Sequence, residues 1–285
     1  MKTISKAGNT SISNVCKSFD MKRDSYYKYR SRCHKRSVNK SMILELVKQE
    51  RKHQSRVGTR KLYKALKPTF EIQNLKIGRD SLFDLLRNKN LLIRRKHATC
   101  KTTNSYHRFH KYNNLIKNMI ITAPNQVWVA DITYIRTIKG FCYLALITDL
   151  YSRKILGYDL SNTLELTGCL GAFKRAHRTA RPSSGLVHHS DRGFQYCSNI
   201  YVQELKKHGV LLSMTEENHC YENAVAERVN GILKDEFYLD QCFTDIEKAK
   251  IATKNAIKIY NSKRLHLSLN YRTPNMVFEN SSINV

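Results

Sequence analysis

Three carboxylates hold most of the chemistry that this sequence offers. Asp131 stands in Gln126-Val127-Trp128-Val129-Ala130-Asp131-Ile132-Thr133-Tyr134-Ile135, Asp191 in His188-His189-Ser190-Asp191-Arg192-Gly193, and Glu227 in Glu222-Asn223-Ala224-Val225-Ala226-Glu227-Arg228. Thirty-five residues lie between Asp191 and Glu227. Three carboxylates that meet repel one another unless a cation holds them. Oxygen ligands without a His/Cys set select Mg²⁺ or Mn²⁺ over zinc. Two such ions ~4 Å apart can activate the attacking oxygen and stabilise the leaving oxygen of an in-line phosphoryl transfer. Taken singly, Asp131 could be a solvent-facing strand residue, Asp191 a turn residue beside Gly193, and Glu227 a helix-surface charge paired with a lysine. The joint pattern favours the metal site. Arg228 and Lys234 flank Glu227 and are candidates to hold a phosphate. His188 and His189 precede Asp191, but no cysteine or histidine set accompanies them as zinc ligands.

The elements around these residues must bring them together. Val127 to Ile135 reads as a strand, Lys139-Gly140 as a hairpin turn, and Phe141 to Thr148 as a central strand, nearly all apolar. A third strand covers 154–160, a helix 163–180, and a short fourth strand runs from Leu186 to His189. Ser198 can cap a helix over 199–208 that Gly209 ends, and a fifth strand spans Val210 to Met214. Helices over 223–238 and 245–262 follow. In the first of these, Asn223, Glu227, Asn230 and Lys234 form a polar stripe beside an apolar one of Ala226, Val229, Leu233 and Phe237. Glu227 is therefore expected at the edge of the core, aimed along the sheet and away from bulk water. The order implies a mixed α/β sheet with helices on its faces. Asp149, at the end of a buried strand, and Trp128, the only tryptophan, are read as packing residues.

The front of the chain differs in charge. Residues 1–120 hold 30 Lys+Arg against 7 Asp+Glu, a balance of +23; the remainder holds 20 against 16, a balance of +4. Such a front fits a polyanion, bound through salt-sensitive counterion release. It lacks a Trp/Phe/Leu-rich face for a membrane surface. Two short helices are expected within 11–31, the second over Tyr26 to Arg30. A third is expected over 41–52 capped by Ser41, a fourth from a Thr59 cap to a stop at Pro68, and a fifth over 79–90. Helices with basic exposed faces suit a DNA-binding helix-turn-helix, and Arg60, Lys61 and Lys64 are its candidate contacts; a basic bundle that binds protein is the alternative. Residues 94–112, which open with Arg94, Arg95 and Lys96, read as a linker that tracks phosphates. The expected organisation is a basic helical segment over 1–36, a helix-turn-helix domain over 37–100, a basic linker over 101–122 and an α/β catalytic domain over 123–285.

Composition narrows the class. Hydrophobic residues make up 41% of the 285, which excludes a disordered chain. No apolar run approaches the ~18 residues of a membrane span, and the start lacks a signal-peptide core, so an intracellular protein is expected. Eight cysteines are scattered without a C-x-x-C pair. They read as reduced, packed thiols and not as a zinc knuckle.

With these blocks in view, the chain resembles the catalytic core of DDE-type transposases and retroviral integrases. The resemblance is strongest to bacterial insertion-sequence transposases made from a second reading frame. It rests on Trp128 to Ile135; on His189-Ser190-Asp191-Arg192-Gly193 with Gln195-Tyr196; on Glu222 to Glu227 with Lys234; and on Tyr260-Asn261, Arg264, His266, Ser268-Leu269 and Thr273-Pro274. Glu222 stands where an Asp is more usual, and Phe194 where a smaller residue is common. The resemblance implies a ribonuclease-H-like five-stranded mixed sheet preceded by an all-α helix-turn-helix region. It also implies Mg²⁺ or Mn²⁺, as two ions, with Asp131, Asp191 and Glu227 as the metal ligands and Lys234 as a DNA contact. The implied reaction is cleavage at an element's end by water, then attack of the freed 3′-hydroxyl on a second phosphodiester. Implied partners are double-stranded DNA at terminal inverted repeats and target sites, further copies of the chain on that DNA, and the upstream-reading-frame protein with its leucine zipper. The implied location is the bacterial cytoplasm, at the nucleoid. A metal-dependent nuclease without strand transfer and a catalytically inactive DNA-binding regulator are the competing functions.

Overall fold

The computed structural model describes residues 11–93, 108–216 and 223–281. The expected contacts Arg94, Arg95 and Lys96, and the departure at Glu222, lie outside the described residues. The chain forms two compact units, one of Met1–Lys52 with Gly58–Leu92 and one of His53–Val57 with Ile93–Val285.

The first unit is helical: α1 (Ile12–Ser18), α2 (Arg23–His53), α3 (Thr59–Ile72) and α4 (Arg79–Asn88). The Ser11 side chain caps α1 by accepting from the Asn14 N–H. Leu62, Leu66 and Phe70 of α3 and Leu82, Leu85 and Leu86 of α4 recur at helical spacing and are buried. Four expectations fail here. Two separate helices, over Tyr26 to Arg30 and over 41–52, are one 31-residue helix that crosses the expected boundary at 36–37. The intervening run has no Gly or Pro to break it, and no apolar stripe to announce it. Ser41 caps nothing, since its hydroxyl donates to the Ser37 carbonyl inside α2. Pro68 does not stop α3, which continues to Ile72. Proline removes one hydrogen bond, to the Lys64 carbonyl, and the extra turn buries Phe70. Gly58, not Thr59, is the N-cap of α3, and Thr59 is buried as its first residue.

The second unit is built on β1 (Val127–Thr137), β2 (Gly140–Asp149), β3 (Ile155–Ser161), β4 (Val187–Ser190) and β5 (Leu211–Met214), in the order β3-β2-β1-β4-β5. β1 pairs antiparallel with β2, and β2 with β3, while β4 runs parallel to both β1 and β5. This is a five-stranded mixed sheet with flanking helices, as the strand and helix order implies. Between β3 and β4 runs α5 (Leu166–Ala180); between β4 and β5 run α6 (Phe194–Cys197) and α7 (Asn199–Lys207); after β5 come α8 (Ala224–Glu236), α9 (Ile246–Ser262) and α10 (Pro274–Ser281). Strand alternation divides the core in two. Trp128, Ala130, Ala145 and Ile147 pack with Phe173 of α5 and Tyr201 and Leu205 of α7. Ile135, Leu144 and Leu146 pack on the other face with Val229 and Leu233 of α8 and Ile257 and Tyr260 of α9. Among the described residues, no helix is long and apolar enough to cross a membrane, and six cysteines are free thiols.

Several polar residues brace this frame. The buried Asp149 carboxylate accepts from the Asn125 N–H at 2.8 Å and from the Ser152 N–H and hydroxyl at 2.7 and 2.6 Å. It closes the turn between β2 and β3. Asn261 of α9 both accepts from the Ile155 N–H and donates to its carbonyl, at 3.0 and 2.8 Å, as a side-chain substitute for a strand. Arg264 grips Glu236 at the end of α8 through two bonds, of 2.8 and 2.6 Å. The block Tyr260-Asn261 with Arg264 is thus structural.

Helix α5 lies against β3 so closely that Gly157 has no room for a side chain: a Cβ there would sit 2.1 Å from the Ala172 carbonyl oxygen and 2.6 Å from the Ala176 nitrogen. Backbone atoms of a packed helix cannot give way cheaply. Gly157→Ala is expected to destabilise the protein by about 2–4 kcal/mol in urea unfolding; a change within 0.5 kcal/mol would contradict this packing.

Candidate active site

Strand parity decides which side chains share the α8 face of the sheet. Val127 and Val129 of β1 and Val187 of β4 pack there with Ala226 of α8. In the parallel β1–β4 pair, Val127 stands opposite Val187 and Val129 opposite His189. Asp131 lies two residues further along β1, and Asp191 two residues past His189, just beyond the end of β4. The two are close enough for the Asp191 charge to act on the Asp131 carboxyl.

Asp131 is half-buried in β1. Burial first, and the neighbouring Asp191 charge second, together raise its pKa from the ordinary carboxylate range to about 7. Two hydrogen bonds work against the rise: Asn230 Nδ2 donates to Asp131 Oδ2 at 2.7 Å and the Ile132 N–H to Oδ1 at 2.9 Å. They are not enough to offset burial. Glu227 adds the smallest contribution in the same direction as Asp191. Asp191 follows the last residue of β4. Its Oδ1 accepts from the Gly193 N–H at 3.0 Å, an Asx-type turn that fixes the carboxylate before α6 begins. A Cβ on Gly193 would meet that same oxygen at 3.0 Å, so the turn favours glycine.

Glu227 stands in the first turn of α8 and is exposed. The expectation that it points away from bulk water is corrected. The buried side of α8 is centred on Ala226, Val229 and Leu233. At about 100° per residue, Glu227 lies some 120° from the middle of that arc. Its place is set instead by its two stripe neighbours. Asn223 Nδ2 donates to the Ala130 carbonyl at 3.0 Å, and Asn230 Nδ2 to Asp131. Both asparagines are buried. One lies four residues before Glu227 and the other three after it, so α8 is pinned across β1 at Ala130 and Asp131 on both sides of the glutamate. Sequence reasoning placed these asparagines on the stripe without giving them a role. The signal available was two amides in register with an acid on a helix that packs on a sheet.

The other expected residues divide. Lys234 is half-buried on the same stripe, and Arg228 is exposed beside Glu227. In the helical unit, Arg60 and Lys64 are exposed on α3 and Lys61 is half-buried, all within its first two turns. The histidines are structural. His188 faces the α5 side, where Tyr201 Oη lies 3.0 Å from its Nε2, and burial pushes its pKa down to about 3. His189 Nδ1 lies 2.8 Å from Ser213 Oγ on β5.

Among the described residues, no three His, Cys, Asp or Glu side chains are gathered into a ready-made metal shell. The pair Asp131 and Asp191 still fits a hard divalent cation by its chemistry. Both donors are carboxylate oxygens, and the carboxyl pushed up to about 7 must hold either a proton or a cation near neutral pH. Glu227, on a helix fixed to the same strand, offers a third carboxylate within electrostatic reach of Asp131.

Comparison with known proteins gives concordant matches. A family model described as integrase core domain matches residues 121–220, and a second of the same description matches 208–274. A 31 kDa protein of insertion element IS600 from Shigella sonnei is 35% identical over 266 residues, covering 91% of this chain and 96% of that protein. A transposase for insertion sequence element IS904 from Lactococcus lactis is 33% identical over 243 residues, covering 84% and 94%. Among solved structures, the HTLV-2 integrase catalytic core domain in complex with magnesium is similar over 55% of this chain and 97% of that one, with a TM-score of 0.45 and 18% identity.

The raised Asp131 carboxyl makes stability depend on pH. Below about pH 4 it is protonated in both folded and unfolded chains. Between about 4 and about 7 the unfolded chain ionises while the folded one keeps its proton, so stability falls as pH rises, and above about 7 the loss is complete. In metal-free buffer at pH 8, Asp131→Asn is therefore expected to be about 1–2 kcal/mol more stable than wild type. This is below the full value of the raised pKa, because part of Asp131 faces water. The advantage should vanish near pH 4; thermal unfolding that shows no such convergence would contradict it.

Proposed function

The chain belongs to the insertion-sequence transposases with an integrase core, and we propose that Asp131, Asp191 and Glu227 are the carboxylates with which it binds divalent metal. It is a DDE polynucleotidyl transferase that cleaves DNA and transfers strands. The observation that carries the assignment is the closeness of Asp191, just past the end of β4, to Asp131 on β1, with the Asp131 carboxyl raised to about 7. Support for Glu227 comes from the two asparagines that pin its helix to β1.

In this reading the metal is Mg²⁺ or Mn²⁺, as two ions. Bound by these oxygens, the ions supply activation of the attacking oxygen and charge neutralisation at the leaving one. The chain's own residues do the rest. Asn230 orients the Asp131 carboxylate through its 2.7 Å hydrogen bond, and the Gly193 N–H orients Asp191. Lys234 and Arg228, beside Glu227, hold a phosphate of the strand to be cut. Arg60, Lys61 and Lys64 on α3 contact the terminal inverted repeats within a helix-turn-helix over 37–100. Arg94, Arg95 and Lys96 are further candidate backbone contacts, ahead of a basic linker over 101–122 and a catalytic domain over 123–285. Work on paired DNA ends favours further copies of the chain on the DNA, and the upstream-reading-frame protein is a partner at the nucleoid. Intact carboxylates argue against an inactive regulator. The basic front, fitted to site-specific binding, argues against a plain nuclease.

The test is an assay with purified protein, a labelled pre-cut element end, a target plasmid and Mg²⁺, alone and with the upstream-frame protein. Joined product is expected from wild type, and a loss of at least about 10³-fold from Glu227→Gln. Cleaved but unjoined DNA would favour the nuclease, and product undiminished in Glu227→Gln would remove that residue from the site.

A further inference from the structure

Helix α2 contains a stretch that packing does not explain. From residue 27 to residue 42 no side chain is buried; the nearest buried residues are Tyr26 and Ile43. A helix with no buried side chain for more than four turns, only Cys33 and Asn39 being half-buried, gains little from a hydrophobic face, and poorly supported helices are marginal in water. What the stretch does have is sorted charge. Lys28, Arg32, Arg36 and Lys40 follow one another at four-residue spacing, and Lys35 joins them. At about 100° per residue, these five cations fall within an arc of some 140°. The remaining arc holds Tyr27, Ser31, Cys33, His34, Ser37, Val38, Ser41 and Met42, with Arg30 as its one charge.

No acidic residue lies between Asp24 and Glu45. Among the described residues, Lys28 pairs with Asp24 at 2.7 Å, both side chains being largely exposed, and Arg32 Nε donates to the Lys28 carbonyl at 3.4 Å. Like charges one turn apart repel, so the row works against its own helix. A surface that gains little by burial and is strained by its own charge is complementary to an external polyanion. The neutral arc lacks the apolar face that would seat it on a membrane.

We infer that the cation row of α2 is a second DNA-contacting surface of this protein, separate from α3 and α4, which binds the phosphates of duplex DNA regardless of sequence. It rests on the reading of the chain as a transposase. Phosphate contacts of this kind release counterions and set register without reading bases. In this account α3 supplies discrimination, and α2 supplies affinity and salt dependence.

The experiment measures binding of the full chain to an element-end duplex and to a scrambled duplex, by fluorescence anisotropy from 50 to 300 mM salt. Lys28→Gln, Arg32→Gln, Lys35→Gln, Arg36→Gln and Lys40→Gln are added one at a time. Glutamine keeps helix propensity, and circular dichroism checks each protein. The log–log salt slope should become less steep with each step, by roughly 3–4 in all, and affinity for both duplexes should fall by the same factor. A control carrying Ser31→Gln, Ser37→Gln and Ser41→Gln, on the neutral arc, should keep the wild-type slope. An unchanged slope across the series overturns the inference, even where wild type binds and joins DNA. Wild type that binds no DNA overturns it together with the transposase reading. Loss of binding to phosphatidylserine vesicles, with the DNA slope intact, would reassign the row to a lipid surface and also overturn it.

Discussion

Two like charges held close together, one on β1 and one just past the end of β4, are the constraint on which the rest of the catalytic unit turns. The parallel pairing of β1 with β4 leads the chain to Asp191 within electrostatic reach of Asp131. Burial and the Asp191 charge then make the ionisation of Asp131 harder, so its carboxyl holds a proton up to about pH 7. A chain that places such a pair in its core loses stability near neutrality, and only a bound cation or proton restores it. The fold therefore stores, at one point of the sheet, an unmet demand for positive charge. For an enzyme that works on phosphodiesters, that demand coincides with what the reaction needs.

The surrounding elements serve to keep the demand in place. Asn223 and Asn230 tie α8 to β1 on both sides of Glu227. Arg264 holds the far end of the same helix through Glu236, and Asn261 locks α9 to the start of β3. Gly193 hands its N–H to Asp191, and Gly157 lets α5 press on the opposite side of the sheet. Rigid support beneath and beside the carboxylates leaves Glu227 as the most exposed member of the set. A third carboxylate at the surface of a fixed helix suits the proposed site, which must admit a DNA backbone as well as a metal.

Much of this was legible in the sequence, for an identifiable reason. Alternation in Val127 to Ile135 and the apolar run after Gly140 report burial, and burial is what strand and helix periods record. Val229 and Leu233 announced the inner face of α8 in the same way. Where burial is absent, the signal is absent too. Residues 27–42 of α2 have no buried side chain, so one long helix reads as two short ones with a gap. Pro68 and Ser41 misled because local preference is weak against context: one proline removes one hydrogen bond, and a serine inside a helix can bond to the preceding turn. Glu227 was expected near the core because its stripe adjoins the apolar one, but a 40° step past Asn223 is enough to reach solvent. The asparagine clamps needed the packing partner on β1 to be seen.

The most direct test of the central claim follows the Asp131 carboxyl itself. Carbon-13 NMR of aspartate-labelled protein, assigned with Asp131→Asn, would give its titration with and without Mg²⁺. Without metal the midpoint should lie near 7. With Mg²⁺ it should move down toward the ordinary carboxylate range, and the shift should shrink when Asp191 is replaced by asparagine. A midpoint near 4 in metal-free protein, or one near 7 that Mg²⁺ leaves unmoved, would contradict the account.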